Sequence, residues 1–262
     1  MKKAKSDYLI QSVSRALDIL EAFVVGQEEL GVTELSRKLK LHKNNVFRLL
    51  ATLETRGWVE QDRVAGTYRL GIRTFEVASV FLHHLGLARQ ARPALEQLAQ
   101  ETGETAYLAA LEGPAVVCVD MAETSQAVRV VSHLGRRFPA HATALGKVQL
   151  AYRPQEELEQ IFKEHEPVAV TPRTLTDVDR LMETLARVAG QEVAVEDEEL
   201  ETGVRGVAAP VRDYAKRVVG AIGVVGPAFR LPLDRLEGEL AARVRAAAQQ
   251  VSRRLGYAVI PG

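Results

Sequence analysis

Residues 33–57 read TELSRKLKLHKNNVFRLLATLETRG, and this stretch decides the fold of the N-terminal third. Leu35 and Leu39 stand four apart, on one face of a short helix that Thr33 is placed to cap. The pattern breaks at Leu41 to Lys43. Val46, Leu49, Leu50 and Leu53 then fall at i, i+3, i+4 and i+7, and Gly57 stands where a helix ends in a left-handed residue. Two helices about a tight turn make a helix-turn-helix. The side of the second helix away from the leucines carries Lys43, Asn44, Asn45 and Arg48 near its start. These side-chain types hydrogen-bond base edges and phosphates. No acid occurs between Ser36 and Leu53, where Arg37, Lys38, Lys40, Lys43 and Arg48 all fall. A charge run alone is usually a solvated helix face. Here it coincides with the part of a helix-turn-helix that must approach a polyanion. Phe47 lies off the main apolar face, and packing against the first helix is expected in preference to contact with a thymine methyl.

The flanks fit the same unit. Val13, Ala16, Leu17, Leu20 and Phe23 predict a helix ahead of the motif, with Ser12 or Ser14 at its start. Behind it, two short extended runs, 58–62 and 67–70, flank Val64-Ala65-Gly66 and predict a hairpin wing. The predicted DNA-binding domain therefore spans residues 9–71. Its candidate contacts are Thr33, Arg37, Lys40, Lys43, Asn44, Asn45, Arg48 and, in the wing, Arg63. Residues 72–90 read as continuous helix through Phe75, Val77, Ala78, Phe81, Leu82 and Leu85. It is too apolar for a free linker, so a linker helix over 72–88 is expected to pack on a partner chain or on the second domain.

From residue 89 to 257 the pattern is mixed. Helices are predicted at Ala91–Thr102, Thr143–Tyr152, Pro154–His165, Asp177–Ala189 and Leu233–Leu255. Strands are predicted at Thr105–Leu111, Ala115–Met121, Ala127–His133, Val193–Glu196, Gly206–Asp213 and Val218–Val225. Strands joined by both turns and helices argue an α+β domain with a mostly antiparallel sheet.

Composition bounds the function. The chain has 262 residues, 34 Lys+Arg against 34 Asp+Glu, and one cysteine, Cys118. Zero net charge leaves any nucleic-acid affinity to a local patch. Residues 1–71 hold 12 basic and 9 acidic side chains, a small excess. A single cysteine excludes a disulfide framework and a cysteine-rich zinc site. No apolar run approaches the ~18 residues of a membrane span, and no signal-peptide pattern opens the chain, so a cytoplasmic protein is expected. There is no GxSxG elbow, phosphate-binding loop or HExxH. Asp197-Glu198-Glu199 resembles a metal cluster only superficially, since acidic runs are usually solvated. His133 and His141 lack ligand spacing, and Cys118, within an apolar run, reads as a buried structural thiol.

Several segments in order resemble the IclR family of bacterial transcriptional regulators. They include SVSRALDILEAF (12–23), GVTELSRKLKLHKNNVFRLLATLETRGWVEQD (31–62), GTYRLG (66–71), RPALEQLAQETGETAYLAAL (92–111), GRRFPAHATALGKVQLAY (135–152), TPRTLTD (171–177), VEDEELETGVRGVAAPVRD (195–213) and GAIGVVGPAFRL (220–231). The resemblance covers nearly the whole chain. It implies a winged helix-turn-helix joined by a helix to an effector domain with a GAF/PAS-like antiparallel sheet. It also implies dimers, or dimers of dimers, on a double-stranded operator, and a small organic acid as effector.

The stretch His141–Lys147 opens a helix with small residues, and a helix start can hold a carboxylate. Close packing of that helix on the sheet explains small residues equally well. The candidate effector residues are Thr143, Ala144, Leu145 and Gly146. By resemblance, Glu196, Gly206, Gly223 and Val225 join them, with Met121 and Arg129 as further wall residues. Family members that bind small keto acids place Asp, Cys and two Ser where this chain has Glu196, Gly206, Gly223 and Val225. The loss of donors points to a larger, flatter or more apolar acid, such as an aromatic one. No catalytic residues, metal or cofactor are expected. The rival readings are a second domain that only oligomerises, and an enzyme acting on a small acid.

Overall fold

The computed structural model describes residues 9–23, 29–77, 86–131 and 134–257. The chain forms two compact units, residues 1–84 and 85–262, each with its own core.

The first unit follows the leucine pattern. Helices α1 (Gln11–Ala22), α2 (Val32–Leu39) and α3 (Lys43–Thr55) precede the wing strands β2 (Val59–Gln61) and β3 (Thr67–Leu70). A two-residue strand β1 (Leu30–Gly31) pairs with β3, giving an antiparallel order β1-β3-β2. Ile19, Leu35, Val46, Leu50, Val59 and Tyr68 form the core, all essentially removed from water. At ~1.5–3 kcal/mol for each fully buried large apolar side chain, this cluster is what holds so short a chain together.

Local details differ from the sequence reading. Ile10 stands at the start of α1 and no side chain caps it, so neither Ser12 nor Ser14 serves. The inward face of α1 is Ile19, Ala22 and Phe23, while Val13 and Leu17 stay more than half exposed. Gly31 rather than Thr33 begins α2, because the Glu34 carboxylate accepts the Gly31 N–H at 2.9 Å and completes the first turn. After α2, Lys40 adopts a left-handed φ of 54°, and the Ser36 hydroxyl donates to Leu41 O at 2.6 Å. That closes the tight turn. At the wing tip the Asp62 carboxylate accepts the N–H groups of Val64 and Ala65 at 2.8 and 3.0 Å.

Only part of the linker expected over 72–88 falls within the described residues. Residues 72–77 are helical, and Ala78, Phe81, Leu82 and Leu85 lie outside the described residues. A helix, α4 (Leu87–Thr102), starts after Gly86, which stands at its N-terminus with a φ of +54°. Leu87–Gln90 therefore belong to the second unit's first helix, and Pro93 lies inside that helix, not near its start.

The second unit is a six-stranded, wholly antiparallel sheet in the order β6-β5-β4-β9-β8-β7. The strands are β4 (Thr105–Glu112), β5 (Ala115–Ala122), β6 (Arg137–Pro139), β7 (Ala194–Asp197), β8 (Val204–Arg212) and β9 (Val218–Pro227). One face packs on α4 and on the closing helix α8 (Ala241–Arg254), through Leu95, Leu108, Val207, Ile222, Val224 and Val244. The π-helical turn Leu236–Leu240 precedes α8, so the long closing helix of the sequence reading is not uniform. The other face is lined by alanines, Ala194, Ala208 and Ala221. They let α5 (Ala144–Leu150) lie close, with α6 (Gln155–Glu164) and α7 (Val178–Gln191) around it. The expected strand at Ala127–His133 is absent, since its described residues, 127–131, are irregular. Their carbonyls are met by side chains instead of a ladder: Tyr107 Oη donates to Val130 O at 3.1 Å and Arg230 donates to Val128 O at 2.8 Å. Among the described residues no helix is long and apolar enough to cross a membrane.

Candidate functional site

Two sites emerge, one in each unit. In the first, α3 buries Val46, Leu50 and Leu53, so Lys43, Asn44, Asn45 and Arg48 face water. His42 caps the helix, its Nδ1 accepting the Asn44 N–H at 3.4 Å. Arg37, Lys40, Lys43, Arg48 and, at the wing tip, Arg63 are exposed and form no ion pair among the described residues. Thr33 is exposed in the first turn of α2. Arg69, by contrast, is occupied by Glu60 at 3.1 Å on the wing. Cations with no internal partner are available to phosphates without the loss of an existing contact. The expectation for Phe47 is overturned: it is 56% exposed and packs into no core. On α3 it falls on the solvent-facing side, one residue before Arg48 and three after Asn44.

In the second unit a cavity opens on the sheet face that carries α5. It is partly open to solvent. Every strand contributes or flanks a wall: Tyr107 and Ala109 from β4, Val116 and Cys118 from β5, Phe138 from β6, Glu196 from β7, Val204 and Val207 from β8, and Val225 from β9. Val130 and Val131 cover it from the irregular segment, Leu200 and Glu201 from the β7–β8 loop, and Arg136 from the residue before β6. The apolar lining, with a few polar groups converging on it, suits a small organic ligand.

The helix start fits its place for two reasons. Thr143 caps α5, its Oγ1 accepting the Gly146 N–H at 3.0 Å, and Thr143, Ala144 and Leu145 line the cavity. Gly146 does not line it. A Cβ there would stand 2.1 Å from Ala140 O, so glycine lets the short turn Ala140–Ala142 pack against the helix. Gln149 then clamps α5 to the sheet, its Oε1 accepting the Leu111 N–H at 2.8 Å.

Of the ten residues expected around the effector, Thr143, Ala144, Leu145, Glu196 and Val225 line the cavity. The others are placed differently. Gly223 is a point of close strand approach, where a Cβ would lie 2.4 Å from Val207 O. Gly206 pairs with Glu196 across the β7–β8 ladder, and a Cβ there would sit 3.2 Å from Val225 Cγ2. Neither glycine leaves an open hollow. Met121 lies across from Tyr107 on β5, outside the lining. Arg129 lies in the irregular segment with its guanidinium bound to Glu123 at 3.1 Å. Sequence reasoning missed Tyr107, Phe138, Arg136, Leu200 and the β4–β5 walls, because they converge only through the sheet's pairing.

The charges beside the cavity are ordered. The acidic run is not solvated: Asp197 binds Arg173 and Arg205, and Thr171 and Thr174 hydroxyls donate to the carbonyls of Glu198 and Glu199 at 2.7 and 2.6 Å. Lys147, 4% exposed at its side chain, pairs with Glu199. Glu196 is 2% exposed, and only one of its oxygens is bonded, Oε1 accepting the Leu200 N–H at 3.2 Å. Burial pushes its carboxyl up to about 7, against the opposing pull of the Leu200 amide and Lys147. Burial also lifts the Cys118 thiol to about 11, keeping it protonated and inert. His141, buried with Nε2 3.1 Å from Val168 O, is drawn below its usual range by desolvation. Among the described residues no cluster of His, Cys, Asp or Glu is arranged to hold a metal ion.

Residues 12–63 match the model of the IclR helix-turn-helix domain, and residues 79–253 match that of the bacterial transcriptional regulator IclR C-terminal domain. The chain is 35% identical over 249 residues to the HTH-type transcriptional regulator XynR of Escherichia coli, covering 95% of this chain and 98% of that protein. It is 34% identical to the E. coli regulator KdgR over 95% of this chain and 94% of that one. Among solved structures, an IclR homolog from Microbacterium hydrocarbonoxydans complexed with 4-hydroxybenzoate superposes with a TM-score of 0.83 at 26% identity, over 93% of this chain and 98% of that chain. The winged helix-turn-helix, the antiparallel effector domain and these matches make the chain a member of the IclR family, a ligand-responsive, DNA-binding transcriptional regulator.

Proposed function

We propose that this regulator controls catabolic genes by binding a small organic acid, of aromatic or comparable bulk, in the cavity beside α5. The observation that carries this is the cavity itself: a largely apolar, strand-walled space beside the first turn of α5. Gly146 already bonds Thr143 Oγ1, and Lys147 N–H bonds Thr143 O at 2.9 Å. That leaves the first-turn amides of Ala144 and Leu145 without an intrahelical partner beside the cavity. The homolog that holds 4-hydroxybenzoate supports an aromatic acid on a fold of this kind. The expected aromatic character rests on the apolar lining and on that homolog, and no longer on Gly206 and Gly223.

The DNA-reading set is Thr33, Arg37, Lys40, Lys43, Asn44, Asn45, Arg48 and Arg63, to which the exposure of Phe47 adds an apolar contact. The protein acts on its operator as a dimer or dimer of dimers, in the cytoplasm, and catalyses no reaction. Exposed Leu9, Ile10, Val13 and Leu17 of the first unit, and Phe75 at 66% exposure, offer apolar surface for a second copy. A two-fold assembly calls for half-sites one ~34–36 Å turn or a multiple apart.

Thermal-shift and calorimetric titration with aromatic and aliphatic acids, followed by operator binding with and without the tightest ligand, tests the reading. A true effector raises the melting temperature. It should change operator affinity roughly 5- to 150-fold, the usual range of coupling between two sites. A cavity that binds no acid while operator binding is intact would refute it. Sedimentation showing a monomer bound tightly to its operator would refute the assembly.

A further inference from the structure

The cavity has two polar poles, at opposite edges of the sheet. Glu196 lies on the edge strand β7, and Arg136 directly precedes the other edge strand, β6. Between them the walls are Val116, Val207, Val225, Leu145 and Tyr107, with the Tyr107 hydroxyl already committed to Val130 O.

Each pole keeps hydrogen-bonding capacity that the described residues do not use. Glu196 is 2% exposed and lines the cavity, and its Oε2 has no hydrogen-bond partner among the described residues. Lys147, the nearest buried cation, is taken by Glu199. Among the described residues the fully buried carboxylate oxygen without a partner is Glu199 Oε2, whereas Glu196 Oε2 is not fully enclosed and can be reached from the cavity that Glu196 lines. Arg136 is exposed, its guanidinium 5.0 Å from the Phe138 ring centre, and it forms no ion pair among the described residues. Glu201 is the other charged residue of the lining and lies at the exposed rim.

Resting on the reading of this cavity as the effector site, we propose that the effector is a hydroxy acid spanning it, its carboxylate held by Arg136 and its distal hydroxyl bonded to Glu196 Oε2. A hydroxyl suits Glu196 in either protonation state, donating to the carboxylate or accepting from the carboxylic acid. A second carboxylate at that end would meet an unfavourable like charge whenever Glu196 is ionised. An ammonium there would have to be desolvated beside Lys147. The neutral hydroxyl avoids both costs.

The test uses the full-length protein and ligand pairs that differ only in the distal group. These are 4-hydroxybenzoate against benzoate and 4-methylbenzoate, and 6-hydroxyhexanoate against hexanoate, all titrated by calorimetry. In at least one series the hydroxyl compound should bind about 10-fold tighter, the strength of one well-made hydrogen bond to a buried group. Glu196→Ala should bring that ratio close to 1 with little change for the compound lacking the hydroxyl, while Glu196→Gln, whose amide N–H can donate to the ligand hydroxyl as its oxygen keeps the Leu200 N–H, should retain most of it. Arg136→Gln, at an exposed position, should weaken both members of a pair about equally and leave the ratio intact. Ratios within two-fold of 1 in both series of the wild type would overturn the proposal without any variant needing to fold. So would a ratio that survives in a folded Glu196→Ala protein. Acids that bind without regard to the hydroxyl would overturn the two-pole reading alone, whereas failure of every acid to bind would overturn the effector cavity as well.

Discussion

Replacing Glu196 with Gln should stabilise the second unit, and the gain should depend on pH. Glu196 is nine-tenths or more buried, and its carboxyl is pushed from an ordinary 4.5 up to about 7. Its folded-state value lies above its unfolded value, so the unfolded chain ionises first as pH rises. The native state is therefore penalised progressively between pH 4.5 and 7, and fully above that. At 1.36 kcal/mol per pH unit, the interval corresponds to about 3 kcal/mol. Gln keeps the side-chain length, can accept the Leu200 N–H, and carries no charge to desolvate. The groups facing Glu196 are Lys147 on α5, and Asp197, Glu199 and the Leu200 amide on its own strand and loop, and all of them are present in both proteins. Their titration therefore cancels in the difference. Urea or thermal unfolding of both proteins from pH 4.5 to 8.5 should show nearly equal stability at the acid end. Above pH 7 the variant should lead by about 3 kcal/mol, or roughly 6–12 °C in Tm for a unit of this size. A stability difference that does not change with pH, or that favours the wild type as pH rises, would refute the account of Glu196 as a buried, under-compensated carboxyl.

Arg48→Ala or Asn45→Ala should relax sequence preference by ~1–3 kcal/mol at one base pair, read by titrating the operator and its single-base variants. Unchanged selectivity for both would misplace the recognition helix. Lys40→Gly removes a cation and relieves a φ of 54°, so it should leave stability unchanged or raised while weakening binding to all DNA and flattening the salt slope by about one. Equal salt slopes would rule out a phosphate contact at Lys40. Gly223→Ala should destabilise the second unit by ~1–3 kcal/mol, because its Cβ meets a strand carbonyl, and melting curves of the two proteins should show it. A stable Gly223→Ala protein that had only lost effector binding would restore that glycine to the cavity wall.

The parts legible in the sequence were those encoded locally. The spacing of Val46, Leu50 and Leu53 suffices to place α3, because a 3.6-residue period needs no distant partner to be recognised. Gly57, at a φ of +72°, ends it as read. The failures lie where a local signal has a non-local cause. Val128, Val130 and Val131 look like a strand, yet the carbonyls of Val128 and Val130 are satisfied by Arg230 and Tyr107 from elsewhere in the chain. The three-residue β6 carries too little pattern to be seen, although its neighbour Arg136 supplies one pole of the cavity. Small residues were the hardest to interpret, since a missing side chain reads equally as room for a ligand or as contact between backbones. At Gly146 and Gly223 the second meaning holds, and only distances to Ala140 O and Val207 O could decide it.

The same limit governs the charges. Lys147, Glu196 and Glu199 are three ionisable residues whose pairing cannot be deduced from their order. What selects Glu199 as the partner of Lys147 is the loop that follows β7, whose carbonyls at Glu198 and Glu199 are fixed by Thr171 and Thr174. With that loop tied down, the lysine is committed, and the carboxyl three residues earlier is left with a single amide. The hydroxyls of the 171–177 segment do not touch the cavity, yet by pinning Glu199 they keep Glu196 unpaired inside it. Thr174→Val should therefore act at a distance. By loosening the hold on Glu199 it should free Lys147 to approach Glu196 and shrink the pH-dependent advantage of Glu196→Gln measured in that background, a coupling that a double-mutant cycle reads directly.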